Sequence, residues 1–187
     1  HFMSPGFVEE VTAILDETGF PARRLEIEVT ESVLITENEM ASDIIDRLRA
    51  TGVSLALDDF GTGYNGLSYL SRFALDRIKI DASFVREIEN SMSAQSMVTT
   101  IIHLAKERGL HVTVEGVETT GQVVFLSRFG NIWYQGFLFA RPMPYGNLLE
   151  TGAMVSAEEA ADLQQIPEAP TVVPDTSDEA WLRRAIA

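Results

Sequence analysis

From Ser4 to about Tyr145 the chain alternates two textures. Stretches in which apolar side chains recur every three or four positions, bounded by glycine or proline, alternate with short β-rich runs that end on an acidic or polar residue. That rhythm predicts βα repetition. Ser4-Pro5 opens a first helix through Phe7, Val8, Val11, Ile14 and Leu15, closed by Gly19 with Pro21 just beyond. Strands are expected at 25–30, 53–57, 77–80, 111–114 and 132–135, with helices near 39–50, 67–73, 93–108 and 120–128. Crossovers of this length join parallel strands, and helices cover such sheets.

Successive strand side chains face opposite ways, so each run splits into two columns. One column is apolar throughout: Leu25, Ile27 and Val29; Val53, Leu55 and Leu57; Ile78 and Ile80; Val112 and Val114. It is expected to pack against helices. The other reads Glu26, Glu28, Thr30; Ser54, Ala56, Asp58; Arg77, Lys79, Asp81; His111, Thr113, Glu115. A parallel sheet buried on both faces would be apolar in both columns. A polar second column with acids at its C-terminal ends implies a barrel interior whose C-terminal mouth is a site.

The candidates at that mouth are Glu28, the adjacent pair Asp58 and Asp59, Lys79, Glu115 and Gln135. Carboxylates converging without a cationic partner for each repel one another, and divalent cations relieve this. Oxygen-only ligands favour Mg²⁺ or Mn²⁺ over zinc. Two such ions serve phosphoryl transfer by activating a water and neutralising charge on phosphate oxygens. Lys79 could hold a water or a phosphate oxygen as a point charge. Plainer roles fit each residue taken singly. An acid after a strand can cap the next helix, Asp-Asp before Phe-Gly-Thr-Gly can be turn chemistry, Lys79 can pair with Asp81, and Gln135 can satisfy backbone groups. The joint pattern across five strands favours a site.

Composition narrows the partners. With 14 Lys and Arg against 28 Asp and Glu, the formal charge is −14, which argues against a binder of polymeric nucleic acid. There is no cysteine, and the three histidines are scattered, so thiolate zinc sites and a histidine metal cluster are excluded. No apolar run reaches membrane-span length and no signal pattern opens the chain, so a cytoplasmic location is expected. From Thr151 to Ala187 the texture shifts to Ala, Glu and Pro, with seven acids and two arginines. Residues 150–187 therefore read as an acidic tail or linker after a domain at 1–149, with short helices at 157–165 and around Trp181. At 187 residues the chain is shorter than the roughly 250 of a whole (β/α)₈ barrel.

At these residues the sequence resembles a known family. Glu28-Val-Thr-Glu31-Ser, Leu57-Asp-Asp-Phe-Gly-Thr-Gly-Tyr64, Leu67-Ser-Tyr-Leu70, Ile78-Lys-Ile-Asp81, Val114-Glu-Gly-Val-Glu118 and Gln135-Gly-Phe-Leu-Phe139 with Arg141-Pro-Met-Pro144 resemble, in order and spacing, the EAL domain family of bacterial signalling domains. The resemblance implies an α/β fold, a (β/α)₈ TIM-like barrel of EAL type, and hydrolysis of cyclic di-GMP to linear pGpG with two Mg²⁺ or Mn²⁺ ions. It implies metal ligation by Glu28, Asp58, Asp59 and Glu115, with Asp58 bridging and Glu115 alternatively a general base. Lys79 then positions the nucleophilic water and Gln135 lies further out. Phe60, Gly61, Thr62, Gly63 and Tyr64 form the loop that couples substrate, metals and dimerisation, with Glu31 as its anchor. Arg141 and Pro142 are candidate substrate contacts. A homodimer and companion signalling domains are expected.

The family's Glu-x-Leu and Asn-Leu-Ser strands are expected upstream of His1, so the chain is read as a partial barrel lacking the first strands. Alone, it is expected to turn substrate over poorly. Two other readings compete: an inactive EAL-like module that binds cyclic di-GMP or a protein partner, and an unrelated barrel phosphatase.

Overall fold

The computed structural model describes residues 2–36, 38–61, 70, 72–144 and 147. Five parallel strands form one sheet in chain order: β1 (Glu26–Thr30), β2 (Ser54–Phe60), β3 (Arg77–Ile80), β4 (His111–Val114) and β5 (Trp133–Tyr134). The helices are α1 (Phe7–Thr18), α2 (Glu31–Thr36), α3 (Asn38–Ala50), α4 (Ala82–Arg86), α5 (Met92–Glu107) and α6 (Thr120–Ser127). Parallel strands laid side by side in sequence order, with helices in the β1–β2, β3–β4 and β4–β5 connections, make the wall of an α/β barrel. The expected helix at 67–73 and the tail at 150–187, with its two short helices, lie outside the described residues, apart from Leu70, Arg72 and Phe73.

The apolar column is the core. Leu55, Leu57, Ile78, Ile80 and Val114 are fully buried, joined from the helices by Ile45, Leu48, Val85, Ile102 and Leu126. Leu25 and Ile27, beside and on the edge strand β1, are only half-buried and pack against that cluster. The opposite column is wetter, with Glu28 exposed and Glu26, Asp58, Arg77 and Glu115 half-buried.

Three differences from the expected elements have local causes. α1 begins at Phe7 rather than at Pro5, because Gly6 takes a left-handed conformation at φ 87° just ahead of it. β2 runs on through both aspartates to Phe60, with a register shift between Leu57 and Phe60 against β3. Helices α2 and α4 were not expected, since six and five residues are too short to show a helical period. Asp81 caps α4: its Oδ1 accepts from the Ser83 N–H at 3.0 Å, and hydrogen bonding from Ser83 holds its carboxyl below the usual aspartate range.

The turn after β4 is pressed between its neighbours. Val117 N–H donates to Gln135 O at 3.0 Å, and Leu138 N–H donates to Val117 O at 3.0 Å. A Cβ on Gly136 would fall 2.1 Å from Val117 O and 2.3 Å from Val117 N, backbone atoms that cannot swing away. Gly136→Ala is therefore expected to cost about 3 kcal/mol or more through overpacking. Gly130→Ala, at φ +65° with nothing within 4 Å, should cost only the left-handed strain of about 1–2 kcal/mol. Urea unfolding of the two variants checks this, and equal losses would contradict it.

Candidate active site

Parallel pairing fixes what can meet on the polar face. Glu28 pairs with Ala56, Thr30 with Asp58, and Lys79 with Thr113. The small Ala56 side chain and Thr113 leave room for longer side chains from both sides to reach one point. Lys79 fills it. Its Nζ lies 2.8 Å from Glu28 Oε2, 3.1 Å from Asp58 Oδ1 and 2.7 Å from Glu115 Oε1. Side chains from β1, β2, β3 and the residue after β4 thus meet at the strands' C-terminal ends. Lys79 is not paired with Asp81, which serves the α4 cap instead.

The lysine side chain is only 7% exposed. Burial works against its charge, but the carboxylates of Glu115, Glu28 and Asp58 around it outweigh that and hold the ammonium above the ordinary lysine range. Three carboxylates against one ammonium leave a formal excess of two negative charges. Asp58 Oδ1 is fully buried, and although Lys79 is near it as an ion, no donor meets it at hydrogen-bonding angles. An oxygen so placed is suited to a cation.

Asp59, next to Asp58, has an unusual backbone. It is the one non-glycine residue at positive φ, 54°, among the described residues, and it sits in the register shift of β2. A bulge breaks strict alternation and re-aims side chains beside active sites. Without it, consecutive aspartates would face opposite sides of the sheet. Partial burial, then the fields of Asp58 and Asp81, raise the Asp59 carboxyl above its usual range.

Under this centre lies a second polar layer that sequence reasoning did not single out. Arg77 Nε donates to Glu26 Oε2 at 2.8 Å, its Nη1 donates to Thr113 Oγ1 at 3.1 Å, and its guanidinium lies 4.4 Å from the Trp133 ring centre. Alternation in Arg77-Ile-Lys79 was the available signal, since it puts both cations on one face.

Other expected residues stand apart from the Lys79 cluster. Glu31 is buried at the start of α2, and Phe60 is buried at the end of β2, where a Cβ on Gly61 would meet the Phe84 ring at 2.9 Å. Thr62, Gly63 and Tyr64 lie outside the described residues. Gln135 enters the ladder through its backbone, donating to Val114 O at 2.9 Å, while the residue itself is exposed. Arg141 lies over the Phe137 ring at 4.4 Å, exposed like Pro142. Two surface cavities, of about 250 Å³ beside Met3 and Met40 and about 560 Å³ beside Phe20 and Thr51, touch none of the cluster.

The residues present fit divalent cations: an all-oxygen donor set, an excess of negative charge and a buried carboxylate oxygen short of donors. Among the described residues, no three acids are closed around a common ion position; the lysine ammonium stands between them.

Comparison with known proteins identifies the family. The family model described as EAL domain matches residues 1–142. The cyclic di-GMP phosphodiesterase NbdA of Pseudomonas aeruginosa is 40% identical over 162 residues, covering 87% of this chain and 21% of NbdA. The structure of PaMucR phosphodiesterase in complex with c-di-GMP superposes with a TM-score of 0.75 at 37% identity, over 79% of this chain and 60% of that one. The manganese/cy-diGMP complex of BlrP1 from Klebsiella pneumoniae gives 0.70 at 40% identity, over 74% and 36%. The chain spans about a fifth of the length of the curated relatives it matches. With the motif order, the parallel sheet and a family match over residues 1–142 in agreement, the chain belongs to the EAL domain family.

Proposed function

We propose that this chain supplies the metal- and phosphate-handling wall of a phosphodiesterase that hydrolyses cyclic di-GMP to linear pGpG. The observation that carries the reading is the convergence of Glu28, Asp58 and Glu115 on Lys79 Nζ at 2.7 to 3.1 Å. The c-di-GMP complex solved for PaMucR and the manganese/cy-diGMP complex solved for BlrP1 support it. Its further parts are Mg²⁺ or Mn²⁺ as the working ions, a homodimer, companion signalling domains and a cytoplasmic setting. Among the described residues no helix is long and apolar enough to cross a membrane.

Glu28, Asp58, Asp59 and Glu115 would hold two ions, which when bound neutralise the carboxylates and supply an activated water next to the phosphodiester. The chain's own residues do the rest. Lys79, kept charged by its surroundings, donates to the attacking water or to a phosphate oxygen, opposing the charge that gathers there. Glu115 Oε1 is the nearest carboxylate oxygen to Nζ and can accept the proton that the water gives up. Water oxygen bonds to phosphorus as one phosphorus–oxygen ester bond breaks, which opens the ring to pGpG. Phe60 is buried at the end of β2, and Gly61 after it packs against Phe84.

Two outcomes are expected. In the full-length protein, Asp58→Ala should lower the Mn²⁺-supported rate of cyclic di-GMP hydrolysis at least about 100-fold with the circular dichroism unchanged. An unaltered rate would remove Asp58 from the metal set, and binding without turnover in the unmutated protein would favour a sensor. The second concerns pH. Lys79 has a folded-state value above that of the unfolded chain, about 10.4, so its contribution to stability is complete below that pH. It is lost as pH rises through the folded value. The gap in urea midpoint between the unmutated protein and Lys79→Met should stay level from about pH 7 to about pH 9 and narrow only in stronger alkali. Narrowing between those two values would contradict the assignment.

A further inference from the structure

We propose that Gln122 is a positioning residue for the Lys79–Glu115 contact, locking the turn that carries Glu115 to the helix that follows Lys79. The inference rests on the metal-site reading above and adds a residue outside the charged cluster. Gln122 is 4% exposed, on the first turn of α6, and a buried amide persists only where its donors and acceptor are used.

All the hydrogen bonds of its side chain go to the backbone of the two connections that follow β3 and β4. Its Oε1 accepts from Glu118 N–H at 2.7 Å and from Thr119 N–H at 3.0 Å, and its Nε2 donates to Val85 O at 3.1 Å. Glu118 and Thr119 end the turn that begins at Glu115. Val85 lies on α4, which starts two residues after the Lys79-Ile80 end of β3. One side chain therefore spans the connections leaving β3 and β4, the two strands whose Lys79 and Glu115 must stay 2.7 Å apart.

The turn has few other degrees of freedom. Glu115 N–H donates to Ile80 O at 3.0 Å and Val117 N–H to Gln135 O at 3.0 Å, so with Gln122 the amides of Glu115, Val117, Glu118 and Thr119 are all engaged. Gly116, at φ +65°, lies so close to α4 that a Cβ there would be 2.4 Å from the Ala82 Cβ. The two connections touch with only the Ala82 methyl between them, so a shift in one moves the other. Thr119 completes the clamp: its Oγ1 accepts from Gln122 N–H at 3.1 Å and donates to Glu89 Oε2 at 2.7 Å.

The test is Mn²⁺ affinity, measured by titration calorimetry on the full-length protein. Gln122→Leu is close in volume but removes all three side-chain hydrogen bonds, and should weaken Mn²⁺ binding about 10-fold or more, in the range seen when groups supporting metal ligands are removed. In steady state it should raise the Mn²⁺ concentration for half-maximal rate more than it lowers kcat at saturating Mn²⁺. Leu126→Ala, a core truncation on the same helix with Leu126 fully buried, should destabilise at least as much yet leave Mn²⁺ affinity unchanged. Gln122→Glu keeps an acceptor for the Glu118 and Thr119 amides but loses the donor to Val85 and adds a carboxyl group. It should fold and show a smaller loss of affinity, and it carries the comparison by itself if Gln122→Leu fails to fold. Unmutated affinity in the Gln122 variants, or an equal loss in Leu126→Ala, would overturn the proposal while leaving the metal site intact. An unmutated protein that binds no Mn²⁺ would overturn the site assignment and this inference together.

Discussion

Like charges brought together at the ends of β1, β2 and β4 are the constraint on which the rest of this structure depends. Glu28, Asp58 and Glu115 each lie within 3.1 Å of one nitrogen. Their nearest oxygens are thus no more than about 6 Å apart, and at an effective dielectric of about 20 each pair repels by about 3 kcal/mol, less where Glu28 meets solvent. A single ammonium cannot balance three carboxylates, which is the physical argument for further cations at this mouth.

Holding such a cluster requires a rigid frame. The apolar column buries one side of β2, β3 and β4 under the helices, and the small side chain of Ala56 on the other side leaves space for Lys79 and its partners. Arg77, one step earlier on β3, ties Glu26, Thr113 and Trp133 into a layer beneath. The sheet interior is therefore polar in two tiers, one in which charge is matched and one, nearer the mouth, in which it is not. The unmatched tier is where chemistry is expected, because matched ion pairs have no free capacity for a ligand.

Much of this was legible in the residues. The alternation of Ile78, Lys79 and Ile80 and of Val112, Thr113 and Val114 gave β3 and β4 their observed bounds, and strand-end acids placed Glu28, Asp58 and Glu115 together. What alternation could not show was its own failure: β2 continues past Leu57 because a left-handed Asp59 inserts a bulge, a conformation that no periodicity reveals. Helices α2 and α4 are shorter than the window in which a helical period can be recognised. Gln122 had a visible signal in Thr119-x-x-Gln122, the pattern of a capping box, but not the bond to Val85 O, which joins residues far apart in the chain. Gln135 is the opposite case: its motif marks it, whereas its local role in this structure is carried by its backbone.

The central claim, that this carboxylate cluster is a divalent-cation centre held together by Lys79 when no ion is bound, is most directly tested by equilibrium unfolding of the full-length protein over a range of Mn²⁺ concentrations. Unfolding free energy should climb with the logarithm of free Mn²⁺ once the ion exceeds its dissociation constant. Lys79→Met, unstable in chelator, should regain much of its loss as Mn²⁺ rises. A midpoint that is flat in Mn²⁺ for both proteins would contradict it.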